Sequence, residues 1–208
     1  CKAPINDNIA QTLIILVENT TEYGGVCYMY GDGTAVACCP KSADAYPYDF
    51  RGIIQHEAGG HGFGKLADES IVYSNWIPVS LKSAIMGFHA RGWYQNVALS
   101  SKFNEVPWAD FIFDTRYSDQ VDIYEGGFEY MRGVFRPEAN SCMNYGIPYY
   151  NVISRLDIMK RIFRYSGEKF TSVEAALPGQ LVAVTGLSAT FAGQGLGSET
   201  GAPTPVLE

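Results

Sequence analysis

Two of the chain's three histidines, His56 and His61, stand five residues apart in the stretch from Gln55 to Glu69, QHEAGGHGFGKLADE. Glu57 lies beside the first of them, and Asp68 and Glu69 close the stretch. Neutral imidazoles and carboxylates are ligands that zinc takes readily. Three protein ligands leave a fourth position for water, whose pKa the metal brings down to about 7. A carboxylate next to the first ligand can take that water's proton and pass it to a leaving amine. The chemistry these residue types could do together is metal-assisted hydrolysis.

The spacing needs an explanation. In His-Glu-x-x-His the two ligands sit at i and i+4 on one helix face, with the glutamate as general base. His56 and His61 are one residue further apart, which on an ideal α-helix separates them by roughly 140° around the axis. Both could not reach one ion from there. A single i→i+5 bulge would return them to one face, and Gly59 and Gly60 are the residues that would absorb it. Gly64, three residues after His61, is where such a helix could stop and the chain turn back. Asp68 and Glu69 then follow as candidate third ligands. On chemistry alone His89, in GFHARGW, competes with Asp68 for that place.

HEAGGHGFGKLADE resembles the zinc helix of metzincin-type metallopeptidases, most closely the IgA-peptidase family, whose motif ends in a Leu-Ala-Asp-Glu run rather than a third histidine. The resemblance implies Zn2+ held by His56, His61 and Asp68, with Glu57 as general base and Glu69 as a neighbour supporting Asp68. Asp68 lies one residue further on than in the commoner pattern His-x-x-Gly-x-x-His/Asp. Much later in the chain, Ser141-Cys142-Met143-Asn144-Tyr145 resembles the methionine-containing turn that lies under the zinc in metzincins. By that resemblance Met143 is structural. Tyr145, two residues on, stands where several of those families have a tyrosine that binds the metal or stabilises the oxyanion. The flanking RPEANSCMNY and IPYYNVISR are similar to the same family.

The resemblance covers these two motifs and their order. It implies a zinc-dependent endopeptidase of bacterial origin, secreted or cell-surface, with extracellular polypeptide as substrate; host immunoglobulin or mucin-like protein belongs to that class. Two other readings share some of the residues. Exopeptidases of the His-Glu-x-x-x-His type, the dipeptidyl peptidases, have the i, i+5 spacing, but they take a glutamate from a second helix as third ligand, and the Met143 turn speaks against them. A catalytically inactive peptidase-like binding module, such as an adhesin, would have no need of Glu57.

These residues need elements to position them. The 208-residue chain is 47% hydrophobic and 13% aromatic, enough for a core of its own. A net charge of −7 without Lys/Arg clusters argues against nucleic acid as a partner. No run approaches the roughly 20 apolar residues of a membrane span, and no basic-then-apolar leader opens the chain, so any signal peptide lies outside it. A start at Cys1 is compatible with a lipid anchor. None of the five cysteines forms a C-x-x-C pair, so a cysteine metal site is not expected, and one or two disulfides are.

Along the chain, the apolar run Thr12 to Asn19 reads as a buried strand, and Gly25 to Tyr30 and Thr34 to Cys39 as two strands joined at Gly31-Asp32-Gly33. Asp49 reads as the N-cap of a helix from Phe50 to Phe63 that carries the histidines. Residues Ile71 to Phe135 show mixed signals, with one helical candidate near Ser80 to His89. The acidic residues of DTRYSDQVDIYE invite a calcium site, but their spacing does not match an EF-hand loop, and a solvated stretch is the plainer reading. Val152 to Tyr165 has apolar residues at helical spacing, and a strand is expected near Leu181 to Thr185. The expected fold class is therefore α+β. By resemblance it is metzincin-like, with a mixed twisted sheet and zinc helix in an upper lobe (1–70, its opening strand-helix-strand unit apparently absent). An irregular lower lobe (71–167) would hold the Met143 turn and a C-terminal helix, followed by a Gly/Ala/Thr/Pro-rich extension (168–208). The same resemblance makes GVCYMY the edge strand bordering the substrate cleft.

Overall fold

Three strands precede the histidine segment and give it a floor. β1 (Leu13–Glu18), β2 (Val26–Met29) and β3 (Ala35–Pro40) form a small sheet in the order β1-β3-β2, with β1 parallel and β2 antiparallel to β3. The computed structural model describes residues 12–21, 24–46 and 48–166. The β2–β3 hairpin closes on Asp32, whose carboxylate accepts the Thr34 backbone N–H at 2.9 Å and its hydroxyl at 3.1 Å. Gly33 takes the positive φ (93°) that the turn requires.

The inward residues of β3 are small. Ala35, Ala37 and Cys39 alternate along the strand and are fully buried. Ala37 and Cys39 pack with Ala58 of the histidine helix, flanked by Leu13, Cys27, Phe50, Ile53 and Ile54. Small facing side chains let helix and sheet approach closely. β1 departs from expectation: Ile14, Ile15, Leu16 and Val17 are 41 to 60% exposed rather than buried. The strand sits at the edge of the sheet, pairing only with β3 among the described residues, and its reach toward the helix is through Leu13, which packs on Gly62.

Asp49 caps α1 (Phe50–Ile54) as expected, accepting the Arg51 backbone N–H at 3.1 Å. The helix then continues as a π-helix over Gln55–Gly64.

The following region is more regular than the sequence suggests. β4 (Ile71–Trp76), β5 (Tyr124–Gly127) and β6 (Glu129–Arg136) form a second mixed sheet, ordered β4-β6-β5. β4 runs parallel to β6 with an irregular register, and β5 antiparallel to it. α2 (Val79–His89) matches the expected helix. Between α2 and β5 come a short 3-10 turn at Phe103–Glu105 and α3 (Ala109–Ile112). Two apolar clusters hold this part together. Ile77, Ile85, Trp93, Tyr94, Val97 and Val134 form one; Ala98, Val106, Trp108, Val121, Val152 and Ile153 form the other. α4 (Cys142–Tyr145) and α5 (Val152–Ser166) complete the described chain, α5 falling where helical spacing put it.

The architecture is thus α+β, with two small mixed sheets and five α-helices among the described residues. The strand expected near Leu181 to Thr185 and the 168–208 extension lie outside the described residues. Cys27, Cys38, Cys39 and Cys142 are free thiols, so the expected disulfides do not occur among the described residues. Cys38 and Cys39 are strand neighbours directed to opposite faces, and Cys142 is buried in α4. In the acidic stretch Asp114 pairs with Arg116 at 2.6 Å on the surface. No described helix is long and apolar enough to cross a membrane.

Candidate metal centre

The wound-out helix answers the spacing problem. With i→i+5 bonding, residues five apart return to the same side of the helix. The His56 and His61 rings lie edge to face, their centroids 4.8 Å apart and their planes at 80°. A single bulge at Gly59-Gly60 understates what happens, since the π geometry runs through ten residues. What surrounds the segment accounts for its glycines. A Cβ on Gly59 would strike the Tyr150 hydroxyl, one on Gly60 the Met143 sulfur, and one on Gly62 the Leu13 side chain. Tyr150 also donates its hydroxyl hydrogen to the Gln55 carbonyl at 2.5 Å, where the π segment starts. Lys65, in the left-handed region (φ 54°), ends the helix and turns the chain toward Asp68.

Each candidate ligand is oriented by a backbone partner. His56 Nδ1 lies 2.7 Å from the Cys142 carbonyl oxygen and His61 Nδ1 2.8 Å from that of Leu66. A carbonyl can only accept, so both Nδ1 atoms carry hydrogen and both Nε2 lone pairs are left available. Metal-bound histidines are typically held in this way. Burial, then the neighbouring His56, push the His61 imidazole down to about 4, which keeps it neutral. Asp68 accepts the Ser70 backbone N–H on Oδ1 at 2.7 Å, while Oδ2 lies 3.9 Å from His56 Nε2. Ligand atoms of His56, His61 and Asp68 all fall within 4.8 Å of one another, the one such group among the described residues. Ligands at about 2.0–2.1 Å around a tetrahedral ion are about 3.4 Å apart, so a modest side-chain closure would seat an ion. Two imidazoles and a carboxylate are a donor set that zinc takes readily.

Glu57 is buried at the start of the same helix turn. Burial pushes its carboxyl up to about 7, with His56 pulling down and Asp68 pushing up. Its side chain packs under Gly25 at the entrance to β2, where any Cβ would overlap it. Glu57 and His56 line a cleft of about 220 Å³ with Tyr48, Gly52, Ile53 and Gly146. A neighbouring hollow of about 340 Å³ is lined by Tyr48, Asn140, Tyr145 and Ile147. Tyr48 belongs to both. Tyr145 is thus exposed beside the cleft rather than inside it.

The other expected participants separate cleanly. Met143 is fully buried, with its sulfur against Gly60 of the π segment. The turn that carries it is capped at both ends. Ser141 Oγ accepts the Met143 N–H, Asn144 accepts the Ser141 N–H, and Gly146 closes with φ 62°. His89 is spent elsewhere, at 3.0 Å from the Tyr94 carbonyl, and is not part of the metal-competent group. Glu69 does not support Asp68 directly, since its carboxylate turns the opposite way into the core. Sequence reasoning missed Tyr48 and Tyr150. Tyr48 lies in a polar loop with no signal of its own, whereas Tyr150 adjoins the Met143 motif and could have been weighed with it. A scan against protein-family models and a search of curated proteins each returned no match.

Proposed function

We propose that this chain is a zinc-dependent endopeptidase of metzincin type, acting on extracellular polypeptide, in which His56, His61 and Asp68 hold the metal. The observation that carries the reading is the pair of histidines five residues apart, turned to one side by a π-helix and each held by a carbonyl so that Nε2 is free. Zinc bound there would supply Lewis-acid polarisation of a carbonyl and of water. The Glu57 carboxylate would take a proton from cleft water and return it to the leaving nitrogen, a task its raised pKa suits near neutral pH. Tyr145, at the rim, would come in to assist the oxyanion. The free edge of β2, which pairs only with β3 among the described residues, would take an extended peptide by strand addition.

Elemental analysis of protein purified without chelator or nickel column tests this. About one zinc per chain is expected in the wild type, falling sharply in Asp68→Ala. A folded wild type that takes up no zinc would overturn the proposal and leave a peptidase-like binding module as the better account.

A further inference from the structure

We infer that Glu69 is the positioning residue that holds the three candidate ligands in one constellation, although its carboxylate bonds to none of them. The inference rests on the metal-centre reading above. Glu69 is completely buried. Its Oε1 accepts from Asn96 Nδ2 at 2.7 Å and from Asn151 Nδ2 at 2.6 Å, and its Oε2 accepts from Ser141 Oγ at 2.6 Å. Its backbone N–H donates to the Met143 carbonyl at 2.7 Å.

None of the three side-chain donors can turn away. Asn96 Oδ1 accepts the Ala67 N–H at 2.8 Å, which fixes the amide with Nδ2 toward Glu69 and the Ala67 carbonyl. Asn151 Oδ1 accepts the Ser154 N–H at 2.9 Å in the first turn of α5. Ser141 Oγ accepts the Met143 N–H at 3.0 Å, which holds it against Glu69 Oε2. The two asparagine amides can only donate, so Oε1 accepts from both, while Oε2 meets the Ser141 hydroxyl.

Two of these bonds lead to the ligands. Through Asn96 and Ala67, Glu69 fixes the loop that carries Asp68 and the Leu66 carbonyl, on which His61 leans. Through Ser141 it fixes α4, whose first residue offers the carbonyl that orients His56. One buried carboxylate therefore joins the third ligand to the acceptors behind both histidines.

The test uses Glu69→Gln, nearly the same shape but with an amide NH2 that must face either Ser141 or the two asparagine amides. Chelator-stripped protein is titrated with Zn2+ against a chromophoric chelator, and with Co2+ while the visible ligand-field bands are recorded. The expected result is a Kd for Zn2+ raised about 10- to 100-fold, with altered Co2+ bands, in a variant whose far-UV circular dichroism is that of the wild type. A lowered Tm with unchanged Kd and unchanged Co2+ bands would make Glu69 merely structural and overturn the inference. Should Glu69→Gln fail to fold, Ser141→Ala decides. It should weaken Zn2+ and change the Co2+ bands, while Ser141→Thr, which keeps the hydroxyl, should restore both; a Ser141→Ala that binds like the wild type overturns the inference. A wild type that binds no Zn2+ brings down the metal-centre reading and this inference with it, whereas tight wild-type binding shared by the variants refutes this inference alone.

Discussion

Gly60→Ala tests the packing that shapes the centre. The added methyl would lie 2.8 Å from Met143 Cε and closer still to its sulfur, well inside the 3.4 Å at which ordinary contact begins. Met143 is fully buried, so it cannot swing into solvent. Overpacking of this kind costs about 1–3 kcal/mol, while exchanging glycine for alanine in a helix returns up to about 1 kcal/mol. The net expectation is a loss of about 1–2 kcal/mol, or about 2–8 °C in Tm for a chain of this size. Met143→Ala alone should cost about 2–5 kcal/mol through the cavity it leaves. In the double variant the new methyl occupies part of that cavity, so the two losses should fall short of additivity by about 1–3 kcal/mol. Chemical denaturation of the four proteins in chelator measures the cycle without interference from metal. Strict additivity, or a Gly60→Ala variant more stable than the wild type, would refute the placement of the Met143 sulfur against the helix.

The remaining expectations concern the site's protons. Glu57→Gln should keep about one zinc per chain and lose peptide cleavage by about 10²- to 10⁴-fold; cleavage at the wild-type rate would remove Glu57 from the chemistry. In metal-free protein His61 titrates near 4 folded against 6.5 as a free group, so between these values the unfolded chain binds more protons. That contribution is complete above pH 6.5 and is lost as pH falls toward 4, up to about 3 kcal/mol. Glu57, raised to about 7 from 4.5, acts in the opposite sense, stabilising at low pH and losing its contribution as pH rises through 7. Glu57→Gln removes the opposition. Its stability should therefore fall more steeply than the wild type's between pH 6.5 and 4.5 in chelator, and parallel slopes would contradict the assigned burial of Glu57.

Much of the centre was legible in the sequence because its parts are chemically rare. Two of three histidines, a glutamate and an acidic pair in fifteen residues narrow the chemistry at once, and the glycines between them pointed to a helix of altered winding. Its extent was not legible. How far the π geometry runs depends on Met143, Tyr150 and Leu13 pressing on glycines, and those residues lie far off in sequence. Asp68 and Glu69 look interchangeable by type, yet the backbone sends one toward His56 and the other into the core. The second sheet was missed because β4 and β6 pair across more than fifty residues with a broken register, and the apolar face of β4 is exposed. The β1 run misled for the converse reason: aliphatic content signals burial only where something covers the strand.

A helix wound at i→i+5 can take in one extra residue while keeping its ligands on one side. In genetic language the step between this segment and an ordinary His-Glu-x-x-His helix is a single-codon insertion or deletion, and no ligand need change. Removing either Gly59 or Gly60 would restore the α-helical count. A pattern that counts residues finds His61 misplaced by one; a pattern that counts ångströms finds it beside His56, with ring centroids 4.8 Å apart.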